Sequence, residues 1–303
     1  MSRLSRRTRS ALLLLPLAVL AAACAAPGSA PSSDDGSGQV VSIGVTDASE
    51  NYWNVYKQKA AAQGITVNFV NFTDYNQPNP ALSQGQLQLN EFQHLQYLAN
   101  YNVKNPAANS DDDLVPIGAT AVYPLPLYSA KHTSVDQIPQ GGQVVIPNDP
   151  TNQARALLVL QAAGLVTLRG GGNSLSTPGE IESAKVEVVP VDAAQTAANI
   201  QSVDAAIVNN NYATAAKLTD QQRIFADDPN SESSKPYINA FVSRAEDKDN
   251  PVYLQLAALY HDPEVEAAIR ADLGDTGVFK SNDVADLQAT TTKIENDLRA
   301  AGS

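Results

Sequence analysis

Val40-Val41-Ser42-Ile43-Gly44-Val45, then residues 46–64, then Ile65-Thr66-Val67-Asn68-Phe69-Val70-Asn71-Phe72, read as strand, helix, strand. Val41, Ile43 and Val45 share one face of a short β-branched run. Asp47 or Ser49 is placed to cap a helix through about Gln63, with Trp53, Tyr56 and Ala60 at helical spacing and Gly64 as its left-handed terminator. Ile65, Val67 and Phe69 then return to strand period. Two strands around one helix make a βαβ unit, which predicts a parallel sheet with a right-handed crossover.

The same alternation continues along the chain. Residues 143–146 read as a strand, and Asn148-Asp149-Pro150 supplies an N-cap and a proline at the first helical position. That helix runs to Ala163 and stops at Gly164. Residues 186–189 and 205–208 read as strands with a helix from about Asp192 between them. Residues 237–243 form another strand candidate, and a single long helical pattern follows over 251–273, ending at Gly274. Residues 125–128, among prolines, read as an extended connection and not as a core strand. Residues 169–177 are rich in Gly and Ser, which predicts a surface loop, and no internal repeat of fixed period is present.

Upstream, Arg3, Arg6, Arg7 and Arg9 precede an apolar run over 11–23 that is too short to span a bilayer and is interrupted by Pro16. This is the pattern of a secretory signal, residues 1–23. It ends at Cys24, the single cysteine. Ala21-Ala22-Ala23 makes a lipobox-like site, with Ala21 where Leu is usual, at which the cysteine would be acylated and become the new N-terminus. The same alanines also suit an ordinary signal peptidase. With one cysteine the exported domain has no internal disulfide, so packing alone must hold it. Residues 25–38 contain only Ala, Pro, Gly, Ser and Asp, so 24–38 reads as a lipidated, flexible tether. About 265 residues remain, enough for two compact lobes.

The 303-residue chain carries 20 Lys+Arg against 32 Asp+Glu. Losing the signal removes four arginines and no acid, leaving 16 against 32 and a net charge of −16. Such a surface repels phosphates and argues against nucleic-acid binding. His94, His132 and His261 are the only histidines and share no metal-ligand spacing, so neither a metal nor another cofactor is expected. No G-x-S-x-G elbow, P-loop or dinucleotide fingerprint occurs, and no enzyme activity is expected.

Four segments carry polar and aromatic residues that helix or strand formation does not explain. Phe72-Thr73-Asp74-Tyr75-Asn76-Gln77-Pro78-Asn79 follows a strand and places Tyr75 at the carboxyl edge of a sheet, where ligands of open α/β sheets bind. Asn90-Glu91-Phe92-Gln93-His94-Leu95-Gln96-Tyr97-Leu98 clusters aromatics, with His94 and Tyr97 on one face if a helix starts there; ordinary core packing explains the segment equally well. In the helix after Pro150, Thr151, Asn152 and Arg155 share a face. An arginine so near a helix N-terminus is unfavourable unless it binds an anion there; the alternative is a solvated surface arginine. Asn209-Asn210-Asn211-Tyr212 ends a strand, either as a plain turn or as amides gathered around a polar ligand. Asn239 lies in an apolar strand and needs a partner if buried.

Together these segments resemble the methionine-binding lipoproteins of the NlpA/MetQ type, the substrate-binding components of methionine ABC importers, over about residues 40–273. The resemblance implies an α/β periplasmic-binding-protein fold (type II-like): two α/β lobes joined by two crossover strands, with a ligand cleft between. The lobes would be 39–126 with 236–303, and 127–235, with crossovers near 123–128 and 234–239. It implies that Tyr75, Phe92, His94 and Tyr97 enclose a thioether, with sulfur–aromatic contacts of roughly 0.3–1.5 kcal/mol each. Arg155 would take the carboxylate with its fork, Asn209 and Asn239 the amino-acid backbone groups, with Asn152 beside them. His94 would be a neutral wall. The implied partners are L-methionine or a close derivative, a permease and ATPase, and the membrane through the lipid on Cys24, on the extracytoplasmic face, for a monomer. Two departures stand out: Thr46–Trp53 replaces the usual Gly-rich turn, so that Tyr52 or Trp53 can enter the cleft wall, and Gln96 stands where proline is common. The ligand could also be a methionine-containing dipeptide or another amino acid. A hydrolase on the same fold would have to use Asp74 and Glu91, and an adhesin with a vestigial cleft would not need the Tyr75, His94, Arg155 and Asn209 set.

Overall fold

The computed structural model describes residues 40–108, 113–274 and 277–302. The expected signal sequence, Cys24 and the tether lie outside the described residues. No helix among the described residues is long and apolar enough to cross a membrane. The chain opens with β1 (Val40–Val45), α1 (Tyr52–Ala62) and β2 (Thr66–Asn71), the two strands parallel with Val41 opposite Val67. The helix starts later than the sequence suggests, and neither Asp47 nor Ser49 caps it. The Asp47 carboxylate accepts instead from the Tyr52 hydroxyl at 2.7 Å and the Trp53 indole at 2.8 Å. The amide of Tyr52 donates to Asp272 at 2.6 Å, so a distant carboxylate satisfies this helix end. Gly64 and Gly164 close their helices at φ 77° and 72°, a conformation that costs glycine nothing.

The chain continues through α2 (Pro78–Ser83), β3 (Leu89–His94), α3 (Leu95–Lys104), β4 (Leu114–Ala119) and β5 (Ala121–Val122). It then passes into β6 (Pro126–Tyr128), β7 (Gly142–Pro147), α4 (Pro150–Ala162), β8 (Val166–Leu168) and β9 (Ile181–Ala184). After β10 (Val186–Val191) come α5 (Thr196–Asn199), β11 (Ala205–Ile207), α6 (Asn210–Ala215) and β12 (Arg223–Ala226). The return leg is β13 (Asn239–Arg244), α7 (Pro251–Leu259), α8 (Pro263–Leu273), β14 (Val278–Phe279) and α9 (Val284–Ala300).

Two five-stranded sheets result, ordered β2-β1-β3-β13-β4 and β10-β7-β11-β6-β12, and they form the two α/β lobes. Neither is purely parallel, as the opening βαβ unit alone would suggest. β13 runs antiparallel to β3 and β4, and β6 antiparallel to β11 and β12. Each of these strands enters its sheet directly from the other lobe. It therefore begins at the carboxyl ends of the parallel strands, beside the cleft, and runs away from it.

Two local expectations need correction. Residues 126–128 form a buried internal strand: Pro126 takes its first position, and its carbonyl accepts from Val208 N at 3.2 Å. The helical pattern over 251–273 is two helices, because Pro263 cannot continue the ladder and Asp262 turns out to ψ 133° to cap α8. The helix start expected at His94 is present, with His94 as the N-cap of α3, and the residues before it form β3.

One lobe packs Trp53, Tyr56, Phe241 and Tyr260 between β1, α1 and the α7–α8 pair. Trp53 lies 4.3 Å from the Phe69 ring, and the Tyr56 hydroxyl donates to the Leu256 carbonyl at 2.6 Å. Aromatic pairs of this kind add about 0.5–1.5 kcal/mol to their burial. The other lobe packs Leu127, Ile146, Leu157, Leu160 and Ile207 around β7 and α4.

Candidate functional site

The carboxyl ends of β1, β2 and β3 face those of β7 and β11 across a cleft whose empty space, with its open mouth, is about 730 Å³. Tyr75, Phe92, His94, Tyr97, Asn152, Arg155, Asn209 and Asn239 all line it. The structure thus brings together every binding residue that the sequence singles out.

Buried amides set the first wall. Asn79 of α2 exchanges hydrogen bonds with Gln93 at 2.7 and 2.6 Å, and both meet Asn90. These three side chains are spent on one another, and they fasten the Tyr75 turn and α2 onto β3. Asn79→Ala is expected to cost about 1–3 kcal/mol of stability in urea unfolding, because it strands two buried amides. Asp74, the other polar group of that turn, accepts from the Asn76 amide at 2.8 Å and holds the turn itself.

Upon this frame the Tyr75, Phe92 and Tyr97 rings pack with centroids 5.8–6.1 Å apart, and Tyr97 lies edge-on to His94 at 6.3 Å. The Tyr97 hydroxyl donates to the Tyr75 carbonyl at 3.0 Å. The lobes also meet here. The Tyr75 hydroxyl bonds Asn211, whose amide reaches Thr46 at 3.2 Å, and Tyr212 donates to the Thr73 carbonyl at 3.2 Å.

His94 is held neutral. Its Nδ1 accepts from the Tyr97 amide at 3.1 Å, which leaves the proton on Nε2, directed to Asn152 Oδ1 at 3.5 Å. Burial, then the nearby Arg155 charge, push its pKa down to about 3. It is a wall and a donor, not a base.

A relay of amides defines the second wall. The Asp149 carboxylate caps α4, and its two oxygens share a hydrogen of the Asn152 amide nitrogen, at 3.0 and 3.1 Å. Asn152 must then turn its oxygen away, and it accepts from Asn209 Nδ2 at 2.9 Å. Asn209 Oδ1 is left buried with no hydrogen-bond partner among the described residues. A buried acceptor without a donor costs free energy unless something fills the gap, so this atom points to a ligand donor. Asn239 is half-buried, with its Nδ2 on the Ala121 carbonyl at 3.2 Å.

Arg155 stands one turn into α4, 5% exposed. Its Nε pairs with Asp227 at 2.7 Å, its Nη2 donates to the Tyr123 carbonyl at 2.8 Å, and its guanidinium lies 4.2 Å over the Tyr237 ring. Nη1 makes no hydrogen bond among the described residues, and the arginine lines the cleft. It is not a solvated surface residue. The geometry offers an anion site at one end, a ring-lined slot at the other, and one orphaned acceptor, Asn209 Oδ1, between.

Sequence reasoning did not assign Asp47, Glu91, Tyr123 or Asn211 to the site, although all four line it. Of the pair flagged in the altered β1–α1 turn, Tyr52 lines the cleft and Trp53 is core. Glu91 was legible only as one of two acids near the aromatic motif. Its neighbours Asp47 and Thr120 lie in other elements.

The model of the NlpA lipoprotein family matches residues 41–281. The probable D-methionine-binding lipoprotein MetQ of Haemophilus influenzae is 37% identical over 245 residues, 79% of this chain and 86% of that protein. The crystal structure of the substrate-binding protein of a methionine transporter from Streptococcus pneumoniae superposes with a TM-score of 0.72 at 34% identity, covering 80% of this chain and 95% of that one. A nutrient-binding protein from Burkholderia cenocepacia bound to methionine gives a TM-score of 0.70 at 33% identity, covering 79% and 99%.

Proposed function

This chain belongs to the NlpA lipoprotein family, and on that footing we propose that it is an extracytoplasmic solute-binding protein that captures L-methionine, or a close derivative, for an ABC importer. The observation that carries this reading is the convergence, in one cleft between two lobes, of a ring-lined slot and a guanidinium with an unsatisfied amide oxygen between them. The zwitterion's carboxylate sits on Arg155, its ammonium is held by the oxygens of Asn209 and Asn239, and the thioether lies among Tyr75, Phe92, His94 and Tyr97. Asn152 orients Asn209. The lobes, 39–126 with 236–303 and 127–235, close on the ligand, and the closed form is what the permease receives. The protein works as a monomer, held to the membrane by acyl chains on Cys24, while the partner ATPase supplies the energy. No reaction is performed on the ligand: of the two acids a hydrolase would need, Asp74 is committed to its turn.

Mass spectrometry of small molecules released from the purified, denatured protein tests the reading, followed by calorimetric titration with L-methionine, D-methionine and the sulfoxide. A sulfur amino acid is the expected product. Release of only non-sulfur amino acids, with no heat on titration, would overturn the assignment.

A further inference from the structure

Glu91 lines the cleft with a second carboxyl oxygen that makes no hydrogen bond among the described residues. It is 8% exposed and lines the cavity, and its Oε1 accepts from the Thr120 hydroxyl at 2.9 Å. It forms no ion pair among the described residues. Thr120 places it: the backbone amide of the same residue donates to the carbonyl of Asn239 at 2.8 Å. Glu91 and Asn239 are thus joined through one residue, and Phe92 carries the chain from Glu91 into the ring-lined slot.

The groups around Glu91 come from several elements, and none of them neutralises it. From the β1–α1 turn comes Asp47, an acid already bonded to Tyr52 and Trp53. From α1, the segment after β5 and the end of α7 come Tyr52, Tyr56, Tyr123 and Tyr260, all pushed well above the ordinary tyrosine range by burial and so uncharged. His261, near Thr120 in the fold, is directed to the Ala119 carbonyl at 2.9 Å and to Glu266 at 3.0 Å. Of the groups on the cleft wall, His94 is neutral and Arg155 is already paired with Asp227. A buried carboxyl group thus lines the cleft with no cation paired to it among the described residues.

We propose that Glu91 is the counter-ion of the ligand's α-ammonium, acting beside the oxygens of Asn209 and Asn239. This rests on the reading of the cleft as a methionine site and deepens it. The empty protein holds Glu91 protonated at neutral pH, since burial and then the Asp47 charge raise its pKa to about 8. An ammonium arriving beside it favours the carboxylate, so the carboxyl O–H bond breaks and its proton leaves to solvent as the ligand binds. The sign follows: below about pH 8 capture releases a proton, and affinity rises with pH by up to about tenfold per unit until the empty-state carboxyl is itself ionised.

Titration calorimetry of L-methionine at pH 7, in phosphate and in Tris, reads the proton directly from the difference in apparent heat. The wild-type protein is expected to release close to one proton per ligand, falling toward zero at pH 9. Glu91→Gln, which keeps the acceptor for Thr120, is expected to bind about 10–100-fold more weakly at pH 8 and to release none. A pH-independent affinity in wild type, or a Glu91→Gln protein that binds as tightly with the same proton count, overturns the proposal while leaving methionine binding intact. Absence of any methionine binding by wild type overturns both at once, so the two failures are told apart.

Discussion

Arg155→Ala lowers methionine affinity by roughly 10²–10³-fold, and Arg155→Lys by nearly as much. The guanidinium is positioned by three separate contacts: Asp227 on Nε, the Tyr123 carbonyl on Nη2, and the Tyr237 ring beneath it. A carboxylate meeting the rest of the fork makes charge-assisted bonds, and truncating such a buried pair typically costs about 2–5 kcal/mol. Lysine keeps the charge but offers one point donor and cannot serve Asp227, Tyr123 and a ligand together. The alanine variant also leaves Asp227 without its cation. Because that carboxylate is about a quarter exposed, the accompanying loss of stability is about 1–2 kcal/mol and not the full cost of a buried pair. Calorimetric titration beside urea unfolding separates the two effects. A lysine variant within threefold of wild-type affinity would remove Arg155 from the site.

Glu91→Gln stabilises the ligand-free protein at alkaline pH, by on the order of 2–4 kcal/mol at pH 8.5. The folded carboxyl has a pKa of about 8 against an ordinary 4.5. Between those values the native state holds a proton that the unfolded chain has lost, so native stability falls as pH climbs through that window. Glutamine has no proton to lose and keeps the Thr120 bond. Thermal unfolding of the two proteins should coincide near pH 4.5 and separate by several degrees at pH 8.5, the variant melting higher. Identical pH profiles would mean that Glu91 is ionised in the empty cleft. A buried acid that weakens the fold at alkaline pH and lines a cleft is a candidate functional group.

Much of the site was legible because its signals are local. An arginine beside Asn152 at a helix start violates the dipole rule, and the violation pointed to an anion. The His94–Tyr97 spacing is that of a helix start: His94 ends β3 and caps α3 through its own ring, which keeps Tyr97 on the same side. Proline signals were read unevenly. Pro150 marks the head of α4 beside its capping Asp149, while Pro263 lies inside an apolar pattern that continues across the break. Pro126 made a buried strand look like a linker, because a proline at the first strand position leaves no mark that distinguishes the two.

Hydrophobic period, caps and the kinds of functional group were written into the chain, since each depends on residues within a turn or two of one another. Which amide oxygen is orphaned, which carboxylate holds the arginine and which acid keeps its proton were not. Asn152 meets Asn209 across 57 positions and Arg155 meets Asp227 across 72. The state of Glu91 depends on its burial and then on the charge of Asp47, which the β1–α1 turn brings to it across 44 positions. Such properties arise from distance and exclusion of water, and only the packed lobes create either.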